Sequence, residues 1–131
     1  MARHNQVGSL GEEIAAEFLK SKGHKVISRN YRKHYGELDI VSRGKDENIH
    51  FVEVKTVSYE TAPGGVPYET GYRPEENVHP AKVKRLMHTI EAYILEKNIG
   101  DEWQFDVIAV YLNEEAKEAR VRWMQNVVLG S

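Results

Sequence analysis

The chain has no cysteine, which excludes a disulfide framework and any thiolate metal site. Proline is scarce: there are four, and three of them (Pro63, Pro67 and Pro74) fall in one short stretch. No apolar run approaches the ~20 residues that cross a bilayer, and the N-terminus lacks a signal-peptide core. The expected location is therefore the cytoplasm, with no membrane partner. No sign of charge dominates, since 18 Lys and Arg face 20 Asp and Glu, for a net charge of −2. That balance withholds the overall basic field of many nucleic-acid binders. A phosphate-cradling glycine loop, a dinucleotide fingerprint and a serine nucleophile elbow are all missing. The histidines, at 4, 24, 34, 50, 79 and 88, show no zinc-ligand spacing.

What the sequence does contain is concentrated at 36–56, GELDIVSRGKDENIHFVEVKT. It reads as two strands joined by a polar turn at 43–48. Alternation places Glu37, Asp39 and Val41 on one face of the first strand, with Leu38 and Ile40 opposite. In the second strand Ile49, Phe51, Glu53 and Lys55 share a face, opposite His50, Val52, Val54 and Thr56. Glu53 and Lys55 thus continue an apolar face, where charge is costly unless paired or bound to a metal. The hairpin can bring Glu37 and Asp39 beside Glu53, and clustered carboxylates raise one another's pKa unless a cation sits among them. A hard, oxygen-seeking ion such as Mg2+ or Mn2+ suits such a set. The plain alternative is a Glu–Lys pair on a half-exposed strand.

At 131 residues, 40% of them hydrophobic, the chain is expected to form a single domain, 1–131, around a modest core. Residues 1–7 read as a flexible lead-in. A helix is expected from Ser9, where Ser9-Leu10-Gly11-Glu12 fits a capping box, with Leu10, Ile14, Ala15, Phe18 and Leu19 as its apolar stripe. Gly23 ends it. Glu12 lies at the margin of that stripe, either capping the helix or looking inward. A short strand is expected at 25–31. The stretch 57–79, rich in glycine and proline, reads as a long loop. Its tyrosines 59, 68 and 72 are either surface residues or platforms for bases.

Pro80 opens a second helix reaching about Asn98, with Val83, Leu86, Met87, Ile90, Tyr93 and Ile94 on its buried stripe. Lys82 and Arg85, three apart, share a face near its start. A covered strand is expected at 103–112, interrupted by Asp106 as a buried hydrogen-bonded residue or as a contributor at the edge of the site. An edge strand is expected at 120–128. The order αβββαββ defines an α/β fold, a mixed central sheet flanked by helices. Basic residues gather at Lys20, Lys22, Lys25, Arg29, Arg32 and Lys33, and again at Lys82, Lys84 and Arg85. They form either a phosphate-facing surface or ordinary solvated surface.

The spacing D-(x)13-E-x-K on two adjacent strands resembles the core motif of the PD-(D/E)xK nuclease superfamily. The blocks Gly11-Glu12, Asn30-Tyr31-Arg32, Gly36-Glu37-Leu38-Asp39, Phe51-Val52-Glu53-Val54-Lys55-Thr56, Pro80-Ala81-Lys82 and Phe105-Asp106-Val107 resemble those of the YraN family. That is an uncharacterised bacterial family whose fold resembles Holliday-junction resolvases. The resemblance implies a restriction-endonuclease-like core. It makes Asp39, Glu53 and the Val54 carbonyl ligands of Mg2+ or Mn2+, and Lys55 the catalytic lysine. Glu12 resembles the acidic residue that resolvase-like proteins bring from their first helix. Arg32, Lys82 and Arg85 would contact nucleic acid, and Glu37 and Asp106 are possible additions to the site. Leu38 replaces the motif proline, and Gln104 stands where a basic residue is expected.

The function implied is metal-dependent endonucleolytic hydrolysis of phosphodiesters in structured or branched DNA, with a homodimer left open. The alternatives are a nucleic-acid-binding module without turnover and an interaction protein that keeps the fold.

Overall fold

The computed structural model describes residues 3–58 and 80–129. Helix α1 (Arg3–Ser21) leads into strands β1 (Lys25–Lys33), β2 (Gly36–Arg43) and β3 (Ile49–Ser58). Helix α2 (Pro80–Glu96), β4 (Trp103–Asn113) and β5 (Glu118–Met124) complete the order αβββαββ expected from the sequence. The five strands lie side by side in chain order in one mixed sheet. Only β3 and β4 run parallel, since the crossover between them carries α2.

The two helices serve opposite faces of the sheet. Leu86, Ile90 and Tyr93 of α2 join Leu38, Val41, Ile49, Phe51, Phe105 and Val107 in one buried cluster. Ala15, Ala16 and Leu19 of α1 join Ile40, Val52, Ile108, Val110 and Leu112 in the other. Alternation along β3 and β4 feeds both cores, so β4 is buried along most of its length and β3 over residues 49–52, with the rest of β3 half-buried up to an exposed Ser58. Each fully covered aliphatic or aromatic side chain contributes about 1.5–3 kcal/mol relative to exposure.

Several boundaries differ from the sequence reading. Helix α1 begins at Arg3, so residues 3–7 are helical rather than a flexible lead-in, and Ser9 lies inside the helix instead of capping it. Val7 packs against the α1-side core, a gain that supports the extra turn. Leu10 is exposed, and the inward position of that turn belongs to Gly11. A Cβ on Gly11 would lie 1.8 Å from the Thr56 hydroxyl, so helix and strand touch there backbone to side chain. The stop at Gly23 is as expected: its φ is 85°, and His24 N–H donates to the Leu19 carbonyl at 3.0 Å. Helix α2 ends at Glu96, with Asn98 in the left-handed region (φ 53°). Strand β1 runs two residues further than expected, and β5 ends at Met124. The loop foreseen at 57–79 loses Val57 and Ser58 to β3, and 59–79 lie outside the described residues.

Asp106, one of the possible site residues, is instead a structural hub. Fully buried, it accepts from His50 Nδ1 at 2.6 Å, Gln104 Nε2 at 2.9 Å, Trp123 Nε1 at 3.0 Å and Asn126 N–H at 2.9 Å. Burial opposes its ionisation, but the bonds from His50, Gln104 and Asn126 outweigh that and hold its carboxyl below the usual range. Gln104, foreseen as a missing phosphate contact, is occupied in this network.

Candidate active site

The site originates where a ladder stops. Strands β2 and β3 pair only from Arg43↔Ile49 to Ile40↔Val52, whereas β3 continues beside β4 as far as Ser58↔Leu112. Beyond Val52 the β2-facing edge of β3 therefore needs other partners. Asp39 supplies one: its Oδ2 accepts the Val54 N–H at 2.8 Å. The simple alternation foreseen for β2 fails at this point, since Leu38 and Ile40 enter opposite cores. On the neighbouring strand, between the pairs Arg29↔Ile40 and Tyr31↔Leu38 that flank this point, Asn30 adopts φ 52°. Asparagine tolerates that left-handed conformation better than most residues.

Asp39 lies in an acidic neighbourhood. Its pKa rises from 3.8 to about 7, first because of burial and then because of Glu12, Glu53 and Glu37, with the Val54 N–H acting in the opposite sense. Glu12 is brought in by the close approach of α1 at Gly11, and it lines a cleft of about 640 Å³ with Asp39, Val54, Lys55 and Thr56. Burial and Glu37 raise the Glu12 pKa, while Arg29 and Arg32 pull it down. Sequence reasoning missed Asn30 here. With its amide oriented to donate, Nδ2 lies 2.7 Å from Glu12 Oε1 and 3.3 Å from Glu37 Oε1. Its sequence signals are an asparagine, a residue that tolerates the left-handed region, inside a strand, and its place in the Asn30-Tyr31-Arg32 block of the resemblance.

On the α2 side, Asp39, Glu53 and Lys55 line a second cavity of about 370 Å³ with Glu37, Lys82 and Arg85. The face expected for β3 thus holds, and the Asp39 and Glu53 carboxylates open into one space. Glu53 is held by Lys82, whose Nζ lies 2.6 Å from Oε1. Lys82 is the residue that pairs with Glu53 here, in place of the adjacent Lys55. Desolvation chiefly lowers the Lys55 pKa, Glu53 opposes this, and Lys82 within hydrogen-bonding reach lowers it further. For Lys82, desolvation works against the charge, but the bond and charge of Glu53, with Lys55 and Asp39, together outweigh it and the pKa rises. Arg85 lines the cavity without an ion-pair partner among the described residues, whereas Arg32 pairs with Glu37 at 3.3 Å.

The carboxylates of Glu12, Glu37, Asp39 and Glu53 are oxygen donors that suit a hard divalent cation, and a cation there would offset the burial, and after it the repulsion, that raise the Asp39 pKa to about 7. Among the described residues, no three acidic or imidazole side chains are already drawn together as a cage. The lysine bound to Glu53 is one reason.

The fold and cleft define an α/β protein with an oxygen-lined acidic pocket at the open end of a strand pair. Residues 11–110 match UPF0102, described as an uncharacterised protein family, and the chain belongs to that family, the one to which the YraN resemblance pointed. A UPF0102 protein of Flavobacterium psychrophilum is 32% identical over 126 residues, 96% of each chain. One from Campylobacter fetus subsp. fetus is 34% identical over 120 residues, 92% of this chain and 91% of that one. Among solved structures, Pyrococcus furiosus SfsA in complex with Ca2+ aligns at 15% identity and a TM-score of 0.34. The match covers 89% of this chain and 61% of that one, and at this distance it carries no functional weight. No described helix is long and apolar enough to cross a membrane.

Proposed function

We propose that this protein is a divalent-metal-dependent nuclease that hydrolyses phosphodiesters in structured or branched DNA. The observation that carries the reading is Asp39, half-buried at the end of the β2–β3 ladder among Glu12, Glu37 and Glu53, with Lys55 on the same wall. A purely structural carboxylate would be expected to have acquired a cationic or multi-donor partner, as Asp106 has.

Asp39, Glu53 and the Val54 carbonyl are the groups that would hold Mg2+ or Mn2+, with Glu12 available to a second ion or a bound water. The ion would supply Lewis acidity toward a phosphate oxygen and a water of lowered pKa. The chain's own residues do the rest. Lys55, partly desolvated, places its ammonium where negative charge develops on the phosphate, and a dehydrated cation stabilises that charge more strongly than a solvated one. Glu12, whose pKa is raised, is suited to exchange a proton with the attacking water. Arg85 offers a charge to the flanking phosphodiester.

One observation favours a second reading, a nucleic-acid-binding module without turnover: Glu53 already has an ion-pair partner. Cleavage assays on junction, flap and single-stranded DNA, with Mg2+, Mn2+ or EDTA, separate the two. Metal-dependent nicking lost in Asp39→Asn supports the nuclease. Metal-independent binding with no nicking of any substrate refutes it.

A further inference from the structure

The acidic cleft contains a cation of its own. Lys82 crosses from α2 to Glu53 at 2.6 Å, shorter than the other lysine–carboxylate ion pairs among the described residues, Lys20–Glu17 at 3.2 Å and Lys33–Glu96 at 3.3 Å. The same cavity holds Asp39, Lys55 and Arg85. Lys84, two residues further along the same helix, lines a different surface with His88 and Glu91 and has no ion pair among the described residues. A charge on Glu53 Oε1 and a charge one residue-pair away on the same helix are therefore distinguishable.

We propose that Lys82 is a resident counter-ion of Glu53, displaced when a divalent cation enters the cleft. This rests on the metal-dependent reading above. The physical reason is competition. An ammonium 2.6 Å from Oε1 repels a divalent ion that approaches the same carboxylate, whichever of its two oxygens the ion takes. Metal entry therefore favours a Lys82 side chain that has swung away, which its four-carbon stem allows. The freed ammonium stays inside a cavity lined by Arg85, so loading the acidic end leaves both cations facing an arriving phosphate. Lys82 acts here as a positioning residue, setting the threshold for metal occupancy.

The test is a Mn2+ titration followed by EPR of the free ion at pH 7.5, on the full chain, with folding checked by circular dichroism. Lys82→Met keeps the aliphatic stem and removes the competitor, so Mn2+ affinity should rise by about fivefold or more, given the size of a close charge–charge term in a partly screened cleft. Lys82→Arg keeps a cation with a planar fork and should bind Mn2+ no more tightly than the parent. Lys84→Met removes the same charge without touching Glu53 and should stay within about twofold, since exposed charges are well screened. If Lys82→Met fails to fold, Lys82→Gln takes its place with the same expectation. Affinity that is unchanged or weaker without Lys82 overturns the exchange while leaving the metal-dependent reading intact. So does an equal gain in Lys84→Met, which would make the effect one of net charge. Absence of Mn2+ binding in every variant and the parent overturns both.

Discussion

Asp39→Asn should change the pH dependence of stability in a way few surface carboxylates could. With a folded-state pKa raised from 3.8 to about 7, the protonated carboxyl is comfortable in the cleft and the ionised form is not. The stabilising contribution is therefore fully present below about pH 4 and is lost as pH rises through about 7. A displacement of that size corresponds to at most about 4 kcal/mol, and sharing of the repulsion with Glu12, Glu37 and Glu53 brings the expected loss to about 2–4 kcal/mol. Asparagine retains an acceptor for the Val54 N–H and carries no charge. Urea unfolding of the parent and Asp39→Asn in EDTA, at pH 4.5 and pH 8.5, isolates the term because other groups cancel. The variant should gain about 1–3 kcal/mol on the parent between the two pH values, since pH 4.5 already lies above the unfolded-state pKa of 3.8. Saturating Mg2+ at pH 8.5 should remove most of that gap by stabilising only the parent. A difference between the two proteins that does not change with pH, or one that shrinks as pH rises, would refute the burial-and-repulsion account of this cleft.

Other substitutions probe the remaining parts. Lys55→Ala should abolish DNA cleavage while leaving Mn2+ binding and DNA affinity within a few-fold of the parent; undiminished cleavage would remove Lys55 from the reaction. Gly11→Ala drives a Cβ into the Thr56 side chain and should destabilise by about 1–3 kcal/mol, with Thr56→Ala recovering part of the loss in thermal melts. Asp106→Ala strips the acceptor from His50, Gln104, Trp123 and Asn126 and should cost about 3–5 kcal/mol in urea unfolding with no change in metal affinity.

The strand pair at 36–56 was legible because alternation and a polar turn agree there, and the order αβββαββ followed from periodicity on either side. The grouping of Glu53 with Lys55 followed from the same period-two rule. What escaped the sequence depended on geometry across strands. The break in alternation that puts Leu38 and Ile40 in different cores has no signature in β2 itself. Lys82 was readable as a basic residue near a helix start, yet its pairing with Glu53 depends on how α2 docks on the sheet. The capping box at Ser9 matched its pattern, but apolar contact by Val7 extends the helix through it. Asp106 looked ambiguous because a carboxylate in an apolar strand signals both burial and chemistry. Its four donors come from β3, from β4 itself, from β5 and from the segment beyond, and only the tertiary structure brings them together.

The cleft is assembled from both sides of the sheet, with Glu12 arriving on α1 and Lys82 on α2. Its acid chemistry is therefore conditional on complete folding. A chain in which either layer has yet to dock holds Asp39 and Glu53 as ordinary hydrated carboxylates, with no reason to retain a metal ion. On the proposed nuclease reading, the protein would acquire its reactivity late, at the same step that fixes its three-dimensional order. Nascent or partly unfolded copies would then be inert toward nucleic acid, and loosening one helix would switch that chemistry off before the sheet itself came apart.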